Sequence, residues 1–177
     1  MKNNSLEGDY PDIVKWVKTK IKKNNEEIQP QVLTKEDIEL LANCTKRLRD
    51  KALVLILYES GCQIGEFLGM RIKDVSFDQY GCLIMISGKT GWRRRRIIEY
   101  SNTMFNWLDI HPTKWNKDSY VWVNTETLDN VISPADASRI LKRLAIIKPV
   151  HPHFFRHSRA TYLFKFLSDA VVKEIFG

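Results

Sequence analysis

The apolar run at residues 49–58 constrains the fold more than any other stretch of the sequence. Residues 53–57 are Leu, Val, Leu, Ile and Leu, with no polar residue among them. A helix that is apolar nearly all round has to be enclosed by other elements. The run therefore predicts a central buried helix, and Gly61 is its expected stop because glycine accepts the left-handed conformation of a helix C-cap.

The rest of the chain is long enough to enclose that helix, since 177 residues with 44% hydrophobic content suffice for one well-buried domain. Helix starts are indicated by Thr34 and Ser133, each an N-cap followed by acidic residues, and by Pro152. Helices are predicted from residue 34 and at residues 49–58, 64–70, 103–110, 133–147, 152–166 and 169–176, and strands at residues 82–86, 95–99 and 120–123. The pattern predicts a mainly α-helical fold with a small antiparallel β-sheet, an α+β class. We expect Phe105, Trp107, Leu108 and the aromatic stretch at residues 120–123 to belong to the core.

The stretch from His153 to Thr161 is the first candidate for chemistry. His153 and Arg156 are three residues apart, so on a helix they share one face. A guanidinium fork and an imidazole can together hold a tetrahedral oxyanion such as phosphate, and a helix N-terminus adds free N–H groups. The spacing alone leaves a second interpretation open, in which both are solvated helix residues.

A predicted hairpin turn at residues 88–92 is the second candidate. It places Lys89 at its tip, where a flexible ammonium can donate a proton to a leaving alkoxide. Four arginines follow at residues 93–96, and alternate residues of a strand face the same way, so at most half of them could follow one polyanionic backbone. The alternative is a solvated edge strand that resists aggregation.

The charge balance favours a polyanionic partner without proving one. The chain has 28 Lys and Arg against 21 Asp and Glu, a net charge of +7. A membrane surface or an ordinary basic protein would fit the same balance. The three cysteines are odd in number and have no CxxC spacing, so we expect a reducing intracellular compartment. No signal segment or membrane-length apolar run stands out, and we expect a soluble cytoplasmic protein.

The N-terminal part is predicted to be separate from the domain. Residues 12–25 have the pattern of an amphipathic helix, and the polar residues 24–27 with Pro30 indicate a linker. We therefore divide the chain into residues 1–31, a helix and linker, and residues 32–177, the domain proper.

Three boxes in order along the chain resemble those of the tyrosine recombinases, the phage integrase family, of archaeal or bacterial Xer or integrase type. The stretch from His153 to Thr161 resembles the family's histidine-x-x-arginine box and its His-Ser-x-Ala-Thr tail. Residues 60–68 resemble the box of the first arginine, and residues 87–91 resemble the turn that carries the lysine. The likeness runs from about Leu33 to the last residue, and three ordered boxes are far more specific than one.

The resemblance implies the DNA breaking-rejoining fold and a function in site-specific recombination or integration. In that mechanism a tyrosine attacks the scissile phosphate, and the 3′-phosphotyrosine link conserves bond energy, so neither ATP nor a metal cofactor is needed. The implied partner is double-stranded DNA, with self-association on DNA in the full-length form and with no membrane or small-molecule cofactor. Residues 1–31 would then be the remnant of a core-binding domain.

The resemblance also implies roles for individual residues. Arg156 and His153 would hold the phosphate and Lys89 would act as general acid. Glu66 would orient its neighbours, although a solvated helix glutamate is the alternative. The implied DNA contacts are Thr90, Arg93, Arg94, Arg95 and Arg159.

Two departures from the family pattern bear on activity. Gln63 stands where the family has an arginine, and a neutral amide offers no charged fork to a phosphate. By analogy with an oxyanion-hole donor, that loss should cost roughly 10²-fold or more in rate. The family's second histidine or tryptophan and its nucleophilic tyrosine would follow Gly177, so the resemblance implies a catalytic domain that is incomplete at its C-terminus. Tyr162 follows Arg156 too closely to be that nucleophile. We expect the chain as given to bind DNA without completing cleavage; a non-catalytic DNA-binding module and, less favoured, a type IB topoisomerase are alternatives.

Other chemistries have weaker support. His151, His153 and His157 would suit a metal, but no carboxylate or cysteine lies close in sequence to complete the ligand set. A Cys62 nucleophile is less favoured still. Residues 88–90 lack the preceding glycine of a phosphate-binding loop and do not open a helix.

Overall fold

The computed structural model describes residues 32–88, 91–125, 131–145 and 150–176. The predicted helix at residues 12–25 and the linker after it lie outside the described residues, as do Lys89 and Thr90.

The described residues form a helical domain with one three-stranded antiparallel sheet of order β1-β2-β3. The helices are α1 (Lys35–Asn43), α2 (Leu48–Ser60), α3 (Ile64–Leu68), α4 (Ser101–Asp109), α5 (Pro134–Leu144), α6 (Pro152–Leu163) and α7 (Asp169–Phe176), and the strands are β1 (Val75–Asp78), β2 (Gly81–Gly88) and β3 (Gly91–Ile97). The predicted class, mainly α-helical with a small antiparallel sheet, is confirmed. No helix in this part of the chain has the length and apolar content needed to cross a bilayer.

Helix α2 is the central element, as its apolar sequence predicts. It packs against α1, α4, α6 and β3, and all its residues from 52 to 60 are buried. Gly61 ends it with φ 61°, a left-handed conformation that favours glycine. The helix therefore delivers the loop at Gly61 and Cys62 to the centre of the domain.

Three charged side chains of α2, those of Arg49, Asp50 and Glu59, are also buried, and each has partners. Asp50 is fully buried and accepts from Arg49 (Nη2, 2.6 Å) and from Arg143 (Nη2, 2.9 Å). Glu59, at the other end of the helix, accepts from the backbone N–H groups of Ile98, Glu99 and Tyr100 at 2.7, 2.9 and 3.0 Å. These buried charges are tolerated because they are paired and hydrogen-bonded.

Helix caps occur where the sequence predicts them. Thr34 and Asp37 form a reciprocal capping box at α1, and Ser133 and Asp136 form another at α5. Pro152 occupies the first turn of α6, where its missing N–H is not needed.

The sheet differs from the prediction in its boundaries. β3 covers residues 91–97 instead of 95–99, and β1 was not predicted at all. Ile98 and Glu99 leave the strand because Glu59 takes their N–H groups. The tertiary contact with α2, which short-range patterns do not report, sets this strand end.

Other elements are shorter than predicted. α3 ends at Leu68, before an isolated bridge between Arg71 and Tyr120, and α6 ends at Leu163. Within the described part, the stretch at residues 120–123 makes isolated bridges and no full strand. Val121, Trp122 and Val123 are nevertheless buried in the core, and Tyr120 is partly buried against it. Trp122 stacks on Phe67 with ring centroids 4.6 Å apart.

The core assignment of α4 was partly wrong. Trp107 is buried and Leu108 packs on the core, but Phe105 is 54% exposed and meets Phe77 edge-on at 5.6 Å. The buried residues of α4 are Met104 and Trp107.

Candidate functional site

Arg156 is held inside the domain by two backbone carbonyls. It lies in α6 and is 6% exposed. Nη1 donates to the carbonyl of Gly61 (3.0 Å) and Nη2 to that of Phe176 (2.6 Å), and the guanidinium stacks on the Phe176 ring at 4.9 Å. Burial lowers the pKa of Arg156 from its ordinary value. The side chain is therefore fixed in one orientation beside the loop that ends α2.

Arg93 of β3 connects the other two boxes to Arg156. Its Nη2 donates to Glu66 Oε1 at 2.6 Å, and its Nη1 donates to the Phe176 carbonyl at 3.0 Å. The Arg93 and Glu66 side chains are 17% and 12% exposed. Among the described residues, Glu66 Oε2 and Arg93 Nε are buried without a hydrogen-bond partner.

Gly88, the residue before Lys89, lies directly against this ion pair. A Cβ atom at Gly88 would overlap the Glu66 carboxylate and lie 2.9 Å from Arg93 Nη2. Gly88 of the lysine box thus contacts Glu66 of the first-arginine box. It also lies against Arg93, which shares the Phe176 carbonyl with Arg156. The three boxes converge in the fold, although Lys89 and Thr90 themselves lie outside the described residues.

The four arginines of β3 divide between two faces, as strand geometry predicts. Arg93 and Arg95 are half-buried, whereas Arg94 and Arg96 are exposed. Arg96 pairs with Asp78 at 2.6 Å on the outer face. Arg95 faces inward with Arg93, and burial lowers its pKa.

Cys62 lies beside the inward arginines. It is buried, which raises the pKa of its thiol to about 11, while the nearby charges of Arg95 and Arg156 oppose the rise. A thiol with that pKa is almost wholly protonated at neutral pH and is a poor nucleophile.

Gln63 and His153 are both exposed, and each lies three residues before a residue of the site, half-buried Glu66 or buried Arg156. Gln63 is the N-cap residue of α3 and makes no side-chain capping bond. His153 lies in the first turn of α6, one turn before Arg156. His153 and Arg156 therefore share α6, but the Arg156 side chain is buried in the domain while His153 is exposed.

The remaining predicted residues of α6 pack internally. Arg159 is half-buried and lies over the rings of Tyr58 (5.6 Å) and Tyr162 (5.4 Å). His157 is 7% exposed, and burial lowers its pKa. Ser158 Oγ accepts from the Leu33 N–H at 2.7 Å, which ties the start of the described chain to α6.

The metal alternative gains no geometric support. The three histidines do not share an environment, since His151 and His153 are exposed and His157 is buried. Over residues 32–88, 91–125, 131–145 and 150–176, no group of three His, Cys, Asp or Glu side chains gathers as a metal site.

The cluster as a whole is suited to an anion. Three guanidiniums, from Arg93, Arg95 and Arg156, are gathered near one carboxylate, that of Glu66. Like charges brought together under partial burial repel, and an anion relieves that repulsion. The forked donors of arginine match the oxygens of a phosphate.

Sequence reasoning missed the part played by Phe176. Its backbone carbonyl, at the end of α7, accepts from two arginines, and its ring supports one of them. No residue type in the sequence could signal this contact, because the acceptor is a backbone carbonyl, which every residue carries.

The family model described as the phage integrase family matches residues 31–177. The chain belongs to this family, that of the tyrosine recombinases.

Individual relatives agree with that assignment. The chain is 29% identical over 154 residues to tyrosine recombinase XerA of Pyrococcus horikoshii and 28% identical over 166 residues to tyrosine recombinase XerD of Chlorobaculum tepidum. Each alignment covers 84% of this chain and 53% of the relative. The chain thus spans about half the length of the curated relatives that it matches.

Solved structures share the fold. A crystal structure of XerA recombinase matches with a TM-score of 0.73 at 21% identity, covering 84% of this chain and 56% of that one. A lambda integrase dimer bound to a COC′ core site matches with a TM-score of 0.62 at 14% identity, covering 83% of this chain and 57% of that one. The predicted DNA breaking-rejoining fold is confirmed.

Proposed function

We propose that this chain is the phosphate-binding part of a site-specific DNA recombinase or integrase that cuts and rejoins duplex DNA through a 3′-phosphotyrosine intermediate. The observation that carries the proposal is the convergence of Arg93, Arg95 and Arg156 beside one carboxylate. Membership of the tyrosine recombinase family supports it, as do related folds solved on DNA, such as XerH bound to its difH substrate.

Each box has a role in the proposal. Arg156 holds a non-bridging oxygen of the phosphate, and exposed His153 adds a donor at the rim. Lys89 protonates the leaving 5′-oxygen, reaching it from a turn whose base touches the Glu66–Arg93 pair. Glu66 orients Arg93. Thr90, Arg93, Arg94, Arg95 and Arg159 are the proposed DNA contacts.

The polypeptide as given binds DNA but does not complete strand cleavage. Gln63 contributes no charge at the rim of the cluster, and no tyrosine of this sequence occupies the position of the family's nucleophile. The proposal includes self-association on DNA in the full-length form, a cytoplasmic location, and no metal or nucleotide cofactor.

A non-catalytic DNA-binding module derived from a recombinase is the second candidate. Gln63 is the observation that favours it, because a module that only binds DNA has no transition state to stabilise. Both candidates predict DNA binding that depends on Arg156, and they differ in whether cleavage returns when the arginine at position 63 and a tyrosine are supplied.

Fluorescence anisotropy of a labelled duplex across a salt series tests the binding. We expect affinity to fall steeply with salt, and Arg156→Ala to weaken binding further. Arg156→Lys keeps the charge but loses the fork, so it should give an intermediate result. Lys114→Ala is the control, because Lys114 pairs with Asp109 at the end of α4. Equal losses of DNA affinity for Arg156→Ala and Lys114→Ala would contradict the proposal.

A duplex carrying a nick near the expected cleavage site tests for chemistry. The proposal predicts no covalent protein–DNA adduct on a denaturing gel for the polypeptide as given. An adduct would show that this sequence contains a working nucleophile.

A further inference from the structure

We propose that Arg95 supplies the guanidinium that position 63 lacks and contacts the same DNA phosphodiester as Arg156. This inference rests on the proposed function, because it takes DNA phosphate as the ligand of the arginine cluster. The second charged contact of that phosphate would then come from β3 and not from the first-arginine box at residues 60–68.

The register of the sheet places Arg95 on the correct face. Arg95 lies opposite Ile84 of β2, and Arg93 lies opposite Ile86. Both isoleucines are buried, and Ile97, two residues after Arg95, is buried as well. Because alternate residues of a strand share a face, Arg95 points toward α2 and α6 together with Arg93.

The loop at the end of α2 brings position 63 to the same place. The Arg95 side chain interacts with the thiol of Cys62, which directly precedes Gln63. The Gly61 carbonyl, one residue earlier, accepts from Arg156. Arg95 and Arg156 therefore flank the short loop that presents Gln63.

Arg95 differs from Arg93 in its partners. Arg93 donates to Glu66 and to the Phe176 carbonyl, and the Glu66 carboxylate balances its charge. Arg156, in contrast, donates to two backbone carbonyls, which are neutral. Within the described part of the chain, Arg95 makes no ion pair; its Nη1 donates to the carbonyl of its neighbour Arg94, and its side chain interacts with the Cys62 thiol. A half-buried guanidinium without a carboxylate is costly unless an anion balances it. Arg95 is thus the arginine of the inward face that remains available to a phosphate.

The test measures how positions 63 and 95 depend on each other. Duplex-DNA affinity is measured by anisotropy for the unmodified chain, Arg95→Gln, Gln63→Arg and the double variant. With Gln63 present, Arg95→Gln should weaken binding about tenfold and reduce the slope of log affinity against log salt by about one. With arginine at position 63, the same change should weaken binding less than about threefold, because the new guanidinium serves the same phosphate.

Two controls separate this role from a structural one. Arg96→Gln removes one charge from the outer face of the same strand, and its effect should be the same with either residue at position 63. Arg95→Lys keeps the charge without the fork and should lie between arginine and glutamine. Urea unfolding of each variant identifies any that fail to fold.

The outcomes are distinct. The inference would be overturned if Arg95→Gln reduced DNA affinity equally with glutamine and with arginine at position 63, or reduced it in neither case. The proposed function would still stand if binding depended on Arg156. If the unmodified chain shows no salt-dependent binding, or if Arg156 makes no difference, the proposed function fails and the inference fails with it.

Discussion

Arg93 of β3 and Arg156 of α6 donate to the same acceptor, the backbone carbonyl of Phe176, at 3.0 and 2.6 Å. Two guanidiniums that share one oxygen are held side by side against their mutual repulsion. The acceptor is a carbonyl oxygen, whose partial negative charge favours both donors. A strand and two helices are thereby joined at the candidate site.

The first prediction concerns the Phe176 ring, which is 1% exposed and packs on Ala160 and Val172 beneath Arg156. We expect Phe176→Ala to lower the free energy of unfolding by about 3–5 kcal/mol, because it opens a cavity under a buried charge. Urea denaturation measures the change. Phe166→Ala is the matched control, since Phe166 is 68% exposed and its loss should cost about 1 kcal/mol or less. Similar losses would mean that Phe176 is not a core residue.

The second prediction separates the site from the fold. In Gly88→Ala the new Cβ displaces the Glu66 carboxylate and Arg93 Nη2, both at the ends of flexible side chains. The free energy of unfolding should therefore change by less than about 1 kcal/mol, whereas duplex-DNA affinity should fall roughly three- to tenfold. In Gly65→Ala the added Cβ meets no atom within 4 Å, so this control in α3 should retain affinity. A large stability loss with unchanged affinity would contradict the prediction.

The third prediction concerns Glu59, which is 8% exposed and accepts three backbone N–H groups between β3 and α4. Glu59→Gln replaces charged acceptors and turns an amide NH₂ toward N–H donors. We expect the free energy of unfolding to fall by about 2–3 kcal/mol, measured by urea denaturation. Glu99→Gln is the control, because Glu99 is exposed and pairs with Lys35 at the surface. A smaller loss for Glu59→Gln than for this control would refute the role.

The fourth prediction is a loss of stability in mild acid. Burial lowers the pKa of His111 and His157 below 6.5, the value for an unperturbed histidine. Below pH 6.5 the unfolded chain therefore binds more protons than the folded chain, and the free energy of unfolding decreases as pH falls toward the lowered pKa values. Each histidine can contribute a slope of at most about 1.4 kcal/mol per pH unit.

Urea midpoints measured from pH 7.5 down to pH 5 test this dependence. His157→Gln should reduce the dependence of the free energy of unfolding on pH, and adding His111→Gln should reduce it further. An unchanged slope in both variants would assign the acid sensitivity to other groups.

Local sequence determined much of this protein. The apolar run made α2 the buried centre, Thr34 and Ser133 fixed two helix starts, and Gly61 supplied a left-handed C-cap. These features depend on propensities and on hydrogen bonds between residues near one another in the chain, which a sequence displays directly. The three ordered boxes likewise indicate the family from the sequence alone.

Tertiary structure decided how the candidate site is arranged. It ended β3 at Ile97 through Glu59, buried Arg156 while leaving His153 exposed, and joined Arg93 to Arg156 through a carbonyl of α7. These contacts join residues 20 to 83 positions apart in the chain. Whether they form depends on the packing of whole helices and strands, because burial of apolar faces sets where each polar group meets its partner. Short-range sequence patterns therefore do not predict these long-range contacts.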